Sequence, residues 1–498
     1  MIDIFSAFSM VFDFQIIMLI FGGTALGILV GALPGLSATM GLAVLLPISF
    51  YMSPIQGILL LLGMYTGSNY GGSFSAILLN IPGAPPAVMT ALDGNPMARK
   101  GEAGRAIVIS TLSSFLGGVF GVLCLIIIAP WLARFALDFG PAEYALLALF
   151  GLSTIVAVAG KSMKRGFIGV VIGLMLATIG LDQFTNVPRF TFGRYELMSG
   201  VSYIPLVIGV FGLSEVLSQI LSLKDTHVNL QKVGSFKTSK SDIKKILNRF
   251  LPSSIIGTII GVLPGAGGTI ASIIAYNQSV QTSKHPETFG KGEPEGLIAA
   301  ESSNNAAVGG SLVPLLTLGI PGSSPAAILL GALMIHNLRP GPMLFLEQRP
   351  MVNAFFIGLM IAQFAMVIVG LLAARIAPHI ISAKQKVMMP VITLLCIIGA
   401  YALNSSFFDV KLMLIFGVVG FFLKLLGIKP APIVLGLILG PMFETNFRSA
   451  LELSQNGYLI FVTRPISIVL LILIALLLVW PFIQKRMTEK KKQDAVSK

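Results

Sequence analysis

The sequence predicts an all-α polytopic membrane protein made of inverted structural repeats with broken helices and re-entrant hairpins, in roughly 10–12 spans. Three observations carry that expectation: a hydropathy too high for a water-soluble chain, basic residues confined to a few segments, and motifs that recur in order along the chain.

Of the 498 residues, 55% are hydrophobic and only 11% charged, against about 25% charged in soluble domains. Apolar runs long enough to cross a hydrocarbon core of about 30 Å recur along nearly the whole length. The clearest are 15–33, 106–129, 142–158, 167–181, 204–221, 351–374, 387–403, 412–426 and 460–480. A barrel would show short alternating strands instead. The first 14 residues carry no basic stretch and no small-residue cleavage pattern, so a removable signal peptide is not expected.

The formal net charge of +13 is unevenly placed. No Lys or Arg precedes Arg99, whereas Lys224, Lys232, Lys237, Lys240, Lys244, Lys245 and Arg249 crowd the segment 222–250. The tail adds Lys485, Arg486, Lys490, Lys491 and Lys492. By the positive-inside rule, linker and tail are expected in the cytoplasm and the N-terminus outside. Charge placed this way reads as membrane topology, with the lipid bilayer as partner and no nucleic acid. Cys124 and Cys396 lie in apolar runs without metal-site or disulfide spacing, and are expected to be packed thiols.

Gly27-Ile-Leu-Val-Gly31-Ala-Leu33-Pro34-Gly35-Leu-Ser37-Ala-Thr39 recurs as Gly257-Thr-Ile-Ile-Gly261-Val-Leu263-Pro264-Gly265-Ala-Gly267-Gly268-Thr269, displaced by 230 residues. Further on, Gly71-Gly72-Ser73 leading to Ile81-Pro82-Gly83 matches Gly309-Gly310-Ser311 leading to Ile320-Pro321-Gly322, where Pro82 and Pro321 lie 239 residues apart. Repeat one is expected over 1–221, a basic cytoplasmic linker over 222–250, repeat two over 251–456, and an extra transmembrane helix with a basic tail over 457–498. A first unit that begins outside and ends inside has an odd number of crossings, which inverts the second.

Proline removes a backbone donor and glycine frees φ, so Pro34-Gly35 and Pro264-Gly265 should each end one helical piece and open another. Broken backbone survives in hydrocarbon only where protein, ions or cavity water satisfy it. Ser37, Thr39 and Thr269 follow the breaks, where a hydroxyl caps the new helix or coordinates a cation. Gly23, Gly27, Gly31 and Gly35 equally form a small-residue stripe for close helix packing.

Two polar patches lie between the breaks: Tyr65-Thr66-Gly67-Ser68-Asn69-Tyr70-Gly71-Gly72-Ser73 and Glu301-Ser302-Ser303-Asn304-Asn305. Each is followed by an apolar stretch and then by Pro82-Gly83 or Pro321-Gly322, the pattern of a re-entrant hairpin with a polar tip. Neutral oxygens suit Na⁺, and N–H groups at half-helix starts suit a carboxylate anion. The alternative is ordinary hydrogen bonding between helices. Glu301 is placed to bind a cation, carry a proton or pair with linker basics, and Glu215 is the other acidic residue inside an apolar run. His227, His285, His336 and His379 are scattered, and nothing resembles a catalytic constellation, a resident metal site or a nucleotide-binding loop. No enzyme activity and no cofactor beyond a coupling ion are expected.

With Gly31-Ala-Leu-Pro-Gly-Leu-Ser-Ala-Thr39, Gly67-Ser-Asn-Tyr-Gly-Gly-Ser73, Asn80-Ile-Pro-Gly-Ala-Pro85 and Gly319-Ile-Pro-Gly-Ser-Ser-Pro325, the chain resembles the large membrane subunit of tripartite tricarboxylate transporters, the TctA family. The resemblance implies a permease of the bacterial inner membrane working with a small four-span subunit of the TctB type and a periplasmic solute-binding protein of the TctC type. It implies ion-driven import of citrate or a related tri- or dicarboxylate, with Na⁺ as the expected coupling ion; proton coupling and a passive anion channel are the alternatives. The patches are also similar to the paired Ser-Asn-Thr hairpin tips of sodium-coupled dicarboxylate carriers. That likeness carries over to Ser68, Asn69, Ser303 and Asn304, with Tyr70 and Asn305 standing where the pattern has Thr.

Overall fold

Helix-forming apolar runs, interrupted at proline and glycine, dictate the architecture of the computed structural model. It describes residues 2–158, 162–222, 233–381, 385–455 and 457–479. Lys224, His227, Lys232 and the basic tail lie outside the described residues.

Asp13 opens the first long helix by accepting hydrogen bonds from the Gln15 and Ile16 amides at 2.8 and 3.3 Å. The helices of the first half are α1 (Ile2–Val11), α2 (Phe14–Ala32), α3 (Ala38–Phe50), α4 (Pro54–Leu79), α5 (Val88–Met97), α6 (Ala103–Ala136), α7 (Pro141–Val158), α8 (Met163–Ala177), α9 (Tyr203–Val207) and α10 (Ser214–Ser222). After the linker come α11 (Lys240–Val262), α12 (Gly267–Thr282), α13 (Pro294–Leu318), α14 (Ser324–Ile335), α15 (Pro342–Glu347), α16 (Arg349–Ile381), α17 (Gln385–Asn404), α18 (Phe407–Leu425), α19 (Pro430–Leu453) and α20 (Ile460–Thr463). The protein is an all-α polytopic membrane protein. Its one described strand pair joins β1 (Gly180–Leu181) antiparallel to β2 (Pro188–Arg189).

Among the described residues, four stretches are long and apolar enough to cross a membrane unaided: Phe14–Ala32, Pro85–Ala136, Tyr203–Leu221 and Arg349–Pro378. Gly457–Thr463 and Pro465–Val479 form a pair bent by 83°. Helices α4 and α13 are long enough, at 26 and 25 residues, but their polar middles keep them out of that group.

Both Leu-Pro-Gly breaks fall where the sequence places them. α2 stops at Ala32 and α11 at Val262, and Gly35 and Gly265 take the left-handed conformation, with φ of 89° and 77°. Ser37 caps α3 by accepting from the Met40 amide at 3.2 Å. The Ile-Pro-Gly segments also break the chain, after Asn80 and Gly319, which both adopt left-handed φ.

The polar patches require a correction. They form the buried middles of the continuous helices α4 and α13 and are not tips of hairpins. Packing explains why glycine-rich, polar sequence stays helical here. α2 and α4 touch backbone to backbone: a side chain on Gly27 would strike the Met64 carbonyl, and one on Gly31 the Ser68 carbonyl. α11 and α13 repeat this, with Gly257 against the Ser303 carbonyl and Gly261 against the Ala307 carbonyl. The same glycines that would loosen a helix in water let two helices meet closely in the membrane.

These contacts set the register of the internal repeat. Positions 27 and 31 match 257 and 261, while 64 and 68 match 303 and 307. Ser68-Asn69 therefore corresponds to Ala307-Val308, and Ser303-Asn304 to Met64-Tyr65. The two Ser-Asn pairs sit about one turn apart on their respective helices rather than at equivalent places.

Two compact units are distinguishable: Met1–Arg134 with Ile204–Phe422, and Phe135–Tyr203 with Leu423–Lys498. The first holds the breaks and the patches. In the second, α19 packs on α7 and α8. Glu143, fully buried, pairs there with Arg464 at 3.0 Å and accepts from Ser467 at 2.7 Å. Arg448 reaches Asp182 at 2.6 Å and Arg189 reaches Glu444 at 2.6 Å, tying the β1–β2 loop to α19. Arg448 holds the Asp182 carboxyl well below the usual carboxylate range.

Candidate functional site

α4 and α13 meet inside the first unit. Asn304 donates through Nδ2 to the Asn69 carbonyl at 3.2 Å. Tyr65, one turn before Asn69, places its hydroxyl 3.1 Å from Ser311 Oγ and 2.8 Å from Ser323 Oγ. Residue numbers fall on α4 as they rise on α13, so the two helices cross antiparallel.

Most of the expected site residues turn back on their own helices. Ser68 Oγ and Asn69 Nδ2 donate to the Tyr65 carbonyl at 3.0 and 3.3 Å. Ser303 Oγ donates to the Ala299 carbonyl at 2.7 Å, and Asn305 Nδ2 to the Glu301 carbonyl at 3.1 Å. Asn304 is the one that reaches across. The Oδ1 atoms of Asn304 and Asn305 and the Ser302 hydroxyl are buried without a hydrogen-bond partner. An unsatisfied buried acceptor costs about 1–3 kcal/mol, and these two amide oxygens lie on adjacent residues of one helical turn.

Both breaks of the second half lie beside the crossing. The Gly265 amide donates to the Gly322 carbonyl at 3.0 Å, which holds Pro264-Gly265 against Pro321-Gly322. Gly268, at the start of α12, abuts Asn304 Oδ1, and a Cβ on Gly267 would lie 3.4 Å from that of Ser323. Ser323 caps α14, accepting from the Ala326 amide at 3.3 Å. The start of α12, with its partial positive charge, thus adjoins the unpartnered Asn304 Oδ1, and Ser323 brings the start of α14 beside Gly267. In the first half, Gly83 packs against the Gly31 carbonyl and Ser75, and Gln219 Nε2 donates to the Gly35 carbonyl.

Thr39 and Thr269 are not drawn into this cluster. Thr39 is buried in the first turn of α3, and Thr269 offers its carbonyl to Ser272 at 3.0 Å while Ala266 occupies the cap position of α12. Neither makes a described side-chain hydrogen bond to the crossing residues.

Glu301 faces elsewhere. Its carboxylate accepts from Thr90 of α5 at 2.5 Å and Ser114 of α6 at 2.7 Å. Among the described residues it pairs with none of the linker basics; Lys245 binds Glu293 at 2.6 Å, Arg249 binds Glu295 at 2.7 Å and, nearby, Arg105 binds Asp242 at 2.7 Å. Among the described residues no cluster of His, Cys, Asp and Glu suits a metal ion.

Sequence reasoning named Tyr65 and Ser311 only as members of their motifs, and gave no role to Ser323, Thr90 or Ser114. Ser323 follows Pro321-Gly322 directly, a legible cap signal. Thr90 and Ser114 carried no local signal, since Glu301 is 211 and 187 residues away.

The model of the tripartite tricarboxylate transporter TctA family matches residues 17–435. The chain belongs to the tripartite tricarboxylate transporter TctA family. An "Uncharacterized 52.8 kDa protein in TAR-I ttuC' 3'region" of Agrobacterium vitis is 38% identical over 475 residues, covering 95% of each chain. An "Uncharacterized protein in TAR-II ttuC' 3'region" of the same organism is 35% identical over 215 residues, covering 43% of this chain and 89% of its own. No solved structure matches. Membership makes this TctA-family chain a component of a membrane transporter, and the family is not one of enzymes. The unpartnered amide oxygens of α13 and the breaks beside them all fall within the matched residues.

Proposed function

We propose that the chain is the permease of a tripartite secondary transporter that imports a tri- or dicarboxylate of the citrate type, coupled to Na⁺. The observation that carries this reading is the meeting, at one crossing, of the unpartnered Asn304 Oδ1 with the start of α12, beside which Ser323 opens α14. Na⁺ is a hard cation that takes neutral oxygens, and Asn304 Oδ1 is such an oxygen. A carboxylate takes N–H groups, which the starts of α12 and α14 supply. Binding both together lets each offset the charge of the other, so the anion is held best when the cation is present. That is the thermodynamic content of coupling.

In this reading the two halves are inverted repeats that move against each other around the crossing, and the antiparallel passage of α4 over α13 supports it. A small TctB-type subunit and a periplasmic TctC-type binding protein deliver the substrate, and the bacterial inner membrane is the setting in which such a binding protein has access. The test is uptake of labelled di- and tricarboxylates by proteoliposomes holding the chain with its partner subunits. Uptake against a concentration gradient, driven by an inward Na⁺ gradient, is expected. Uptake indifferent to Na⁺ overturns the sodium assignment, and equilibration without accumulation overturns secondary transport in favour of a channel.

A further inference from the structure

We infer that Glu301 forms a separate proton site in the seam between α5, α6 and α13, apart from the Asn69–Asn304 crossing. Its side chain is fully buried, and both carboxylate oxygens are engaged by hydroxyls, Thr90 on Oε1 and Ser114 on Oε2. Asn304 looks to α4 and the start of α12; Glu301 looks to α5 and α6.

The charged and titratable groups around the seam are already committed to others. From α4, Tyr70 puts its hydroxyl 2.6 Å from Thr111 of α6. On α5, Asp93 accepts from the Gly292 and Glu293 amides at 2.9 and 2.8 Å and from Tyr276 of α12 at 2.8 Å. On α11, Lys245 and Arg249 are paired with Glu293 and Glu295, six to eight residues before Glu301, or about 9–12 Å along the helix at 1.5 Å per residue. No described Lys, Arg or His pairs with Glu301.

A buried carboxylate faced only by the Thr90, Ser114 and Ser110 hydroxyls, with no countercharge, remains costly. A metal cation would ask for several oxygens at once, and among the described residues no group of His, Cys, Asp and Glu gathers around Glu301 to hold one. A proton needs no cavity. The exchange is simple: hydronium gives H⁺ to Glu301 COO⁻, leaving water and COOH, whose O–H donates to a neighbouring hydroxyl oxygen as that hydroxyl turns its own hydrogen away, and the reverse step returns the proton to water. Asp93 lies three residues beyond Thr90 on α5, and its bonds to the Gly292 and Glu293 amides turn that end of α5 towards the 283–293 loop.

Difference infrared spectroscopy of the full chain in lipid, recorded across a pH titration, reads the site without substrate or partners. The expected result is a carbonyl band of a protonated buried carboxyl that disappears in E301Q. In proteoliposomes with the partner subunits, substrate uptake should also move protons, and E301Q should lose that movement and the pH dependence of uptake. Absence of the band at every pH, or the same band in E301Q, overturns the inference. Failure of Na⁺ dependence with the band and proton movement intact would overturn only the sodium assignment.

Discussion

Asn304 is the residue on which the proposed site turns, because it bonds across the crossing with one amide atom and leaves the other free. Asn304→Ala removes the cross-helix hydrogen bond to the Asn69 carbonyl, at about 0.5–1.5 kcal/mol, and with it the unpartnered oxygen. Transport should be abolished while the protein still inserts, which uptake and membrane fractionation check together. Asn69→Ala leaves its carbonyl in place and should be the milder variant. Tyr65→Phe deletes the hydroxyl shared by Ser311 and Ser323; at about 1.4 kcal/mol the half-saturation concentration should rise about tenfold, visible in uptake kinetics. The patch containing Tyr65 was legible because polar residues are rare in such a sequence. Which of its members would face the other half was not, since that depends on a helix crossing between residues 246 and 258 positions apart.

At the scale of elements, the breaks were readable from proline and glycine alone, because their backbone chemistry is local. The helical state of the patches was not. Ser, Asn and Gly favour turns when judged by propensity, and here packing against α2 and α11 overrides that preference. The override is testable. Gly31→Ala and Gly261→Ala push a methyl into a facing carbonyl and should cost about 1–3 kcal/mol or more, lowering the thermal midpoint of the purified chain. Gly22→Ala meets nothing within 4 Å and should leave it unchanged. At the start of α11, hydrogen bonding to Arg105 holds the Asp242 carboxyl down to about 2. A carboxyl lowered from an ordinary value of about 3.9 contributes stability above that value and loses it as pH falls towards 2. The thermal midpoint should drop over that window, and Asp242→Asn should remove this part of the drop.

For the whole molecule, hydropathy and the recurring motifs conveyed the membrane-spanning, repeated plan, since both are properties of long stretches. The register of the repeat lay beyond the sequence. Matching Gly71 with Gly309 by motif is one residue off: Gly71 packs on the Ile28 carbonyl and Gly310, not Gly309, packs on the Thr258 carbonyl. Motif spelling and helix contact follow different rules, and contact decides what is equivalent. The pairing of Ser68-Asn69 with Ser303-Asn304 fails for the same reason, leaving one asymmetric crossing in place of two matching tips. The most direct test of that crossing as an ion site is the thermal midpoint of the purified chain titrated with NaCl against KCl. A ligand that binds only the folded state raises the midpoint with its concentration. Stabilisation by Na⁺ beyond that by K⁺, lost in Asn304→Ala, is the predicted result; no difference between the salts, or a difference that survives in Asn304→Ala, would contradict the account.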